Sequence, residues 1–435
     1  MRQRGGVSVL LVTAALVLTA CTSDAERPSP AESSRSAEQS RNAACADAVT
    51  DVVEVTQRFV DGYGEASLAS TPTAAPGAAS PTSSPDASPA TDEDLQEAVA
   101  RAQDVRRDQR CDDDEFRERL ESGLDGLVAD GAVAAAVLRQ VRANLTGRVS
   151  AEASSRSVTP ADDLPEVLAE VGPGATVELA PGEYRLGETL VLLRGVTLRG
   201  AGADRTTIRS SAPDASVLVV TGDRTALEHL SVRRSTVAGS VLVGGSAASV
   251  RLDGVRFSGA RTGDGEGGAG VLMTAVAGVQ PRDGTTLEVT GSTFADNDGA
   301  GIALGGDHRA SIVSSRFARN EQCGVCFLAA SGGAVRRSTF AQNGAAVAVN
   351  GTARPLIKGS SITGGEVGVQ AVDDSAPVLD GNRISRVARA AVIWSGKSSG
   401  RADRTRCRDV EFGLVVGPSA HPFLGDNDCP VAQGR

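Results

Sequence analysis

Two periodicities divide the chain. Between residues 43 and 147 apolar positions recur at helical spacing. Val49, Val52, Val53, Thr56 and Val60 share one helical face, as do Leu95, Val99, Ala102 and Val105. Phe116, Leu120, Leu124 and Leu127 follow, then Val133, Val137, Leu138, Val141 and Leu145. Asp112-Asp113-Asp114 suits a helix N-terminus, where the macrodipole favours negative charge. Asp130-Gly131 breaks the run. These stripes predict a small bundle of three or four helices. A further short amphipathic helix opens at Asp163-Leu164-Pro165 and runs through Val171. After it the period falls to two, as in Thr176-Val177-Glu178-Leu179, which predicts strands.

The strand region repeats itself. Phe294, Phe317, Phe340, Ile362 and Ile384 lie 23, 23, 22 and 22 residues apart. A period of 20–50 residues signals a solenoid. Five positions before each stand Val289, Ile312, Val335, Ile357 and Leu379. Two before stand Ser292, Ser315, Ser338, Ser360 and Asn382. Three after the phenylalanines stand Asn297, Asn320 and Asn343. Stacked coils turn these positions into ladders, apolar ones in the core and polar ones bonding turn to turn. Phe257, with Val241 and Val243, fits the same frame. Its distance of 37 residues from Phe294 leaves room for an insertion, placed at Gly259–Gly270. Gly301, Gly324 and Gly368 are expected at a shared turn where a strand begins. About ten or eleven coils fit.

Pro181-Gly182-Glu183-Tyr184 and Gly195-Val196-Thr197-Leu198-Arg199-Gly200-Ala201-Gly202 resemble the opening coils of the pectate-lyase-like superfamily. The resemblance covers roughly residues 163–430 and rests on fold-level signatures. It implies an all-β right-handed parallel β-helix, here preceded by a small disulfide-clamped α-helical domain. It also implies a helix capping the first coil. Enzymes of that superfamily act on polysaccharides, the lyases with carboxylate-bound calcium and a basic residue, the hydrolases with paired Asp.

The N-terminus reads as an export signal. Arg2 and Arg4 precede the apolar run Val7–Val17, which is too short to span a membrane. Leu18-Thr19-Ala20-Cys21 resembles a bacterial lipobox. That implies removal of residues 1–20, lipidation of Cys21, and an extracytoplasmic protein attached to a membrane by its lipid. Residues 21–42 are then expected as a disordered tether. Within the helical domain 43–147, residues 65–92 are expected as a disordered loop, since 23 of the 26 residues from Ala66 to Thr91 are Ala, Ser, Thr or Pro. Residues 148–162 read as a linker and 163–435 as the β-helix. Six cysteines remain after Cys21, with 15 formal connectivities. Grouping by region favours Cys45–Cys111, Cys323–Cys326 and Cys407–Cys429. Cys323-Gly324-Val325-Cys326 has redox-motif spacing but lacks the helix N-terminus that would activate a thiol, so a local structural disulfide is expected.

Charge narrows the function. The net charge of −10 lacks the basic footprint of a nucleic-acid binder. Only 3% of the residues are aromatic, which leaves few rings to stack on sugars. The single tryptophan, Trp394, is expected to cover the core. Asp307-His308-Arg309 is the candidate catalytic cluster, because a His flanked by Asp can serve as acid or base. Its repeat equivalents, Ala330, Thr352 and Asp374, supply no second carboxylate close by. Asp264, Glu266 and Asp283 make calcium a candidate ion, but their spacing matches no known loop, and no cofactor or metal is otherwise implied. Arg256, Arg316, Arg336, Lys358 and Arg383 form a candidate ligand face, expected to point outward from one sheet toward an acidic glycan. The first expectation is therefore a lipid-anchored, non-catalytic binder of an envelope glycan or other envelope component. A polysaccharide lyase or hydrolase is the alternative. A structural spacer, whose helical domain docks a protein partner, is the third reading.

Overall fold

The computed structural model describes residues 33–63, 90–150, 154–210, 216–234, 239–245, 249–263, 266–274 and 284–433. The chain divides into two compact units. One comprises the residues up to 151 with Glu166–Val171, the other Glu152–Pro165 with Gly172–Arg435. The signal segment and Cys21 lie outside the described residues, as does most of the expected loop 65–92.

The helical unit contains α1 (Ser33–Asp61), α2 (Asp92–Gln109), α3 (Asp113–Asp125) and α4 (Ala132–Leu145). Most of α5 (Leu164–Glu170) also groups with it. The helix α1 starts ten residues before the bundle was expected to begin, so residues 33–42 are not a tether. Their Ala, Glu and Arg are strong helix formers, and the polar residues 38–42 are exposed on the helix. Thr91 caps α2 through a reciprocal box, its hydroxyl accepting from the Asp94 amide at 3.2 Å while the Asp94 carboxylate accepts from the Thr91 amide at 2.7 Å. Asp112 caps α3, accepting from the amides of Asp114 and Glu115 at 3.1 and 2.9 Å. Val52, Val60, Phe116, Leu120, Leu124 and Val141 are buried. A Cys45–Cys111 disulfide ties α1 to the α2–α3 connection across 66 residues. Closing so long a loop stabilises by about 4 kcal/mol through the unfolded chain.

The second unit is a parallel β-helix of about eleven coils. Each coil contributes a strand to three sheets of twelve, eleven and ten strands. The twelve-stranded sheet begins at Ser155–Val158, inside the expected linker. That strand pairs in register with Thr176–Leu179, and the Tyr184 hydroxyl donates to the Val158 carbonyl at 2.7 Å. Three surface positions in four hid it from a reading based on apolar alternation.

The expected ladders all form. Val289, Ile312, Val335, Ile357 and Leu379 are register partners with at most 1% exposure. The phenylalanine rings stack at centroid separations of 5.7, 5.2 and 4.9 Å from Phe257 to Phe340. Asn297 donates its side-chain amide to the Asn320 side-chain oxygen at 2.8 Å, and Asn320 to that of Asn343 at 2.9 Å. The Ser315, Ser338 and Ser360 hydroxyls each accept from the backbone amide of the preceding ladder residue, at 3.2–3.3 Å. Trp394 is fully buried. Ile384 pairs with Cys407, so the rhythm continues into the disulfide Cys407–Cys429. Cys323 and Cys326 are also bonded to each other.

Two expectations need correction. Phe257 to Val271 takes 14 residues where the next coil takes 8, and Met273 to Thr286 takes 13 where it takes 5. The insertion is therefore split, and only its first part falls in Gly259–Gly270, around a two-residue antiparallel pair at Thr262–Gly263 and Glu266–Gly267. Gly301 and Gly324 sit inside strands rather than at turns. A Cβ at Gly324 would lie 2.6 Å from the Phe340 ring and 2.7 Å from the Ala346 carbonyl. These glycines make room for the phenylalanine stack. The corners carry left-handed residues instead, among them Ser314, Arg337 and Gly359 between the twelve-stranded and ten-stranded sheets.

Phe317→Ala removes one ring from the middle of the stack. We expect it to destabilise the β-helix by about 3–5 kcal/mol, read as a lowered urea midpoint, whereas Phe423→Ala at the exposed terminal coil should shift it far less.

Candidate functional site

Because register is kept, each outward position becomes a column, and the three faces differ in chemistry. The outward positions of the eleven-stranded sheet run Val191, Val219, Val243, Leu272, Ala303, Cys326, Ala348, Gln370, Ile393 and Val415. None is ionisable. The twelve-stranded sheet mixes charges and pairs them. Arg199 bonds Glu178 at 3.0 Å and Glu228 at 2.8 Å in adjacent coils. Lys358 bonds Asp380 at 3.0 Å, and Arg404 bonds it from the far side.

The ten-stranded sheet is cationic. One outward column reads Glu183, Thr207, Ser231, Arg256, Thr293, Arg316, Thr339, Ser361, Arg383, Arg406. The other reads Arg185, Arg209, Arg233, Ser258, Ala295, Ala318, Ala341, Thr363, Ser385, Arg408. Eight arginines face one glutamate on a protein of net charge −10. Between the basic ends lies a floor of small side chains, from Ser258 to Ser385.

The expected ligand face is only partly of one piece. Arg256, Arg316 and Arg383 share the ten-stranded sheet. Arg336 and Lys358 belong to the twelve-stranded sheet, across the corner at Arg337 and Gly359. The left-handed residue turns the chain there, and counting along the repeat did not reveal it. Arg256 is paired with Asp204 at 2.7 Å and Lys358 with Asp380. Arg316, Arg336 and Arg383 have no ion-pair partner among the described residues. Arg406 and Arg408 were missed because the repeat was followed only to Ile384. Continuing one period of 23 would have reached Cys407 and its flanking arginines.

Asp307, His308 and Arg309 are placed without converging. Asp307 is exposed and accepts from the Gly284 backbone amide at 2.9 Å. His308 is 5% exposed and lies in an inner corner column between Thr285 and Ser331, bonded through the backbone to Gly332 at 3.1 Å. The Arg309 side chain is exposed. Asp373 repeats the role of Asp307, accepting from the Gly351 amide at 3.1 Å. Of the candidate calcium ligands, Asp264 and Asp283 lie outside the described residues, and only the backbone of Glu266 is described. Among the described residues no cluster of three His, Cys, Asp or Glu side chains could hold a metal.

With this architecture in view, residues 216–349 and 269–427 match a family model described as a right handed beta helix region. The solenoid domain is therefore a right-handed parallel β-helix. No curated protein matches the sequence. Solved structures similar to the chain include tailspike protein 2 from an Escherichia coli O157:H7 bacteriophage (11% identity, TM-score 0.46, covering 60% of this chain and 42% of that one). They also include the catalytic domain of a GH87 alpha-1,3-glucanase in complex with tetrasaccharides (11%, 0.47, 64% and 59%). A third is a mannuronic acid specific polysaccharide family 6 lyase from human gut microbiota (14%, 0.46, 61% and 66%). The chain thus spans 42–66% of the length of these proteins.

The hydrogen bond from Lys358, with help from Arg404, holds the Asp380 carboxyl below the usual carboxylate range. A depressed folded pKa adds stability above the unfolded value of about 3.9, and this is lost as pH falls through the folded pKa. Asp380→Asn should therefore lose less thermal stability than wild type between neutral pH and pH about 3, measured by circular dichroism melts.

Proposed function

We propose that this protein is a lipid-anchored cell-envelope protein whose β-helix binds an acidic glycan along the ten-stranded sheet, without chemistry of its own. The observation that carries this reading is the cationic face. Eight arginines stand in two columns beside a floor of Ser, Ala and Thr, on a protein that is acidic elsewhere. An extended chain laid parallel to the solenoid axis meets a rung every ~4.8 Å. Guanidinium groups pair with its anionic groups, and Thr293, Thr339 and Ser361 offer hydroxyls between them.

The non-catalytic part is supported by how the acids are engaged. Asp296 is bonded by Arg319 at 2.7 Å, Asp403 by Arg401 at 3.1 Å, and Asp307 and Asp373 hold backbone amides. Acid–base hydrolysis needs two carboxyls facing one bond. Anchoring through Cys21 rests on the charged, apolar and Leu-Thr-Ala-Cys segments in that order.

Binding of the full chain should be measured against acidic and neutral polysaccharides at low and high salt. Acidic polymers are expected to bind, more weakly as salt rises, and to keep their length after prolonged incubation. Equal binding of neutral polymers, or none of acidic ones, would overturn the cationic-face reading. Shortened polymer would overturn the non-catalytic one. For the anchor, metabolic labelling with an alkyne fatty acid should mark the wild type and leave Cys21→Ser unlabelled. An unlabelled wild type removes the anchor.

A further inference from the structure

Resting on that reading, we propose that the C-terminal end of the cationic face is an oxyanion grip. Arg383, Arg386, Arg406 and Arg408 there take the carboxylates or phosphodiesters of an acidic envelope polymer. The four arise from two successive coils. Arg383 and Arg406 are direct register partners, as are Ser385 and Arg408, and the Arg386 amide donates to the Arg408 carbonyl at 3.2 Å. All four side chains are exposed.

Adjacent coils usually answer a charge with its opposite, as in Glu178–Arg199–Glu228 and in Arg319 with Asp296 at 2.7 Å. Like charges also stack in Arg185–Arg209–Arg233 and in Arg336–Lys358, but acids answer them there: Glu183 bonds Arg185 at 3.0 Å and lies 3.7 Å from Arg209, and Asp380 bonds Lys358 at 3.0 Å. At Arg383 and Arg406 an arginine faces an arginine one rung away, about 4.8 Å along the axis, with no acid bonded to either side chain among the described residues. Like charges opposed across a ladder cost stability. None of the four has an ion-pair partner among the described residues, although Asp409 stands one rung from Arg386, whose amide donates to the Asp409 carbonyl at 3.1 Å, and Asp428 bridges to the Arg406 backbone. An anion received from outside removes the repulsion.

The patch is also held in place. Between Arg406 and Arg408, Cys407 takes the core-ladder position and is bonded to Cys429. Terminal strands of a solenoid otherwise fray, so the staple fixes two guanidiniums relative to the two on the coil before. The planar fork of arginine matches carboxylate and phosphate oxygens bidentately. The hydroxyls of neutral sugars accept only weaker bonds from such a fork, without charge on the acceptor, so the grip favours oxyanions.

Three full-length variants separate this grip from general attraction to the face: Arg383→Gln with Arg406→Gln, Arg386→Gln with Arg408→Gln, and Arg316→Gln alone. Each is checked for an unchanged melting temperature. Affinities are measured by fluorescence anisotropy for labelled polygalacturonate and labelled poly(glycerol phosphate), with inorganic phosphate as competitor. Each grip pair should weaken binding about tenfold or more, the scale of one or two lost charge-assisted bonds, and Arg316→Gln by about threefold or less. The polymer with the larger loss identifies carboxylate or phosphodiester as the preferred group. Grip pairs that cost no more than Arg316→Gln overturn the grip and leave the cationic-face reading standing. A wild type that binds neither polymer overturns both.

Discussion

The structure depends on one constraint, that each coil hydrogen-bonds the next in an unshifted parallel register. A slip of one residue would turn every inward side chain outward. Three ladders resist it at different points of the coil. The phenylalanine rings stack face to face from Phe294 to Phe340. The asparagines pass side-chain bonds from Asn297 to Asn343. The serine hydroxyls bind the backbone of the neighbouring coil. The polar ladders satisfy groups that would otherwise be buried unpaired. The glycines opposite the rings admit no side chain, so the ring stack and the glycine strand specify each other.

Strict register has a consequence for the surface. A residue type repeated on the outside becomes a stripe along the whole axis, so the faces acquire separate characters. One has no ionisable side chain among its described outward positions, one interleaves acids with bases, and one concentrates arginine. An acidic protein thus carries a basic surface, which average charge would never suggest. Binding by such a face needs no cavity. It needs a ligand that is itself long and charged.

The same geometry explains the fate of the Asp307-His308-Arg309 cluster. Neighbours in a strand-and-corner coil point to opposite sides, so adjacency in sequence separates side chains more than it joins them. Asp307 reaches back to the amide of Gly284, while His308 enters the inner corner column. On a β-helix, side chains meet when they are one period apart. That rule puts Arg383 with Arg406 and Lys358 with Asp380.

The fold was legible because its determinants are periodic. The intervals from Phe294 to Ile384, the asparagines three places on, and the amphipathic runs of α2, α3 and α4 are local patterns repeated often enough to outweigh irregularities. The cysteine pairs followed from their grouping along the chain. Other features carried too little signal. Ser155–Val158 has one inward residue, and residues 33–42 are polar in sequence but for Ala37. The split of the insertion leaves no mark in composition. The columns themselves were within reach by counting, but the corner that sends Arg336 and Lys358 to a different sheet from Arg316 was not. By itself, then, the sequence determined which residues face the core and which face water, since burial is written in a short period. Which outward residues share a face was decided only by the tertiary structure, because left-handed turns such as that at Arg337 are set by how successive coils stack.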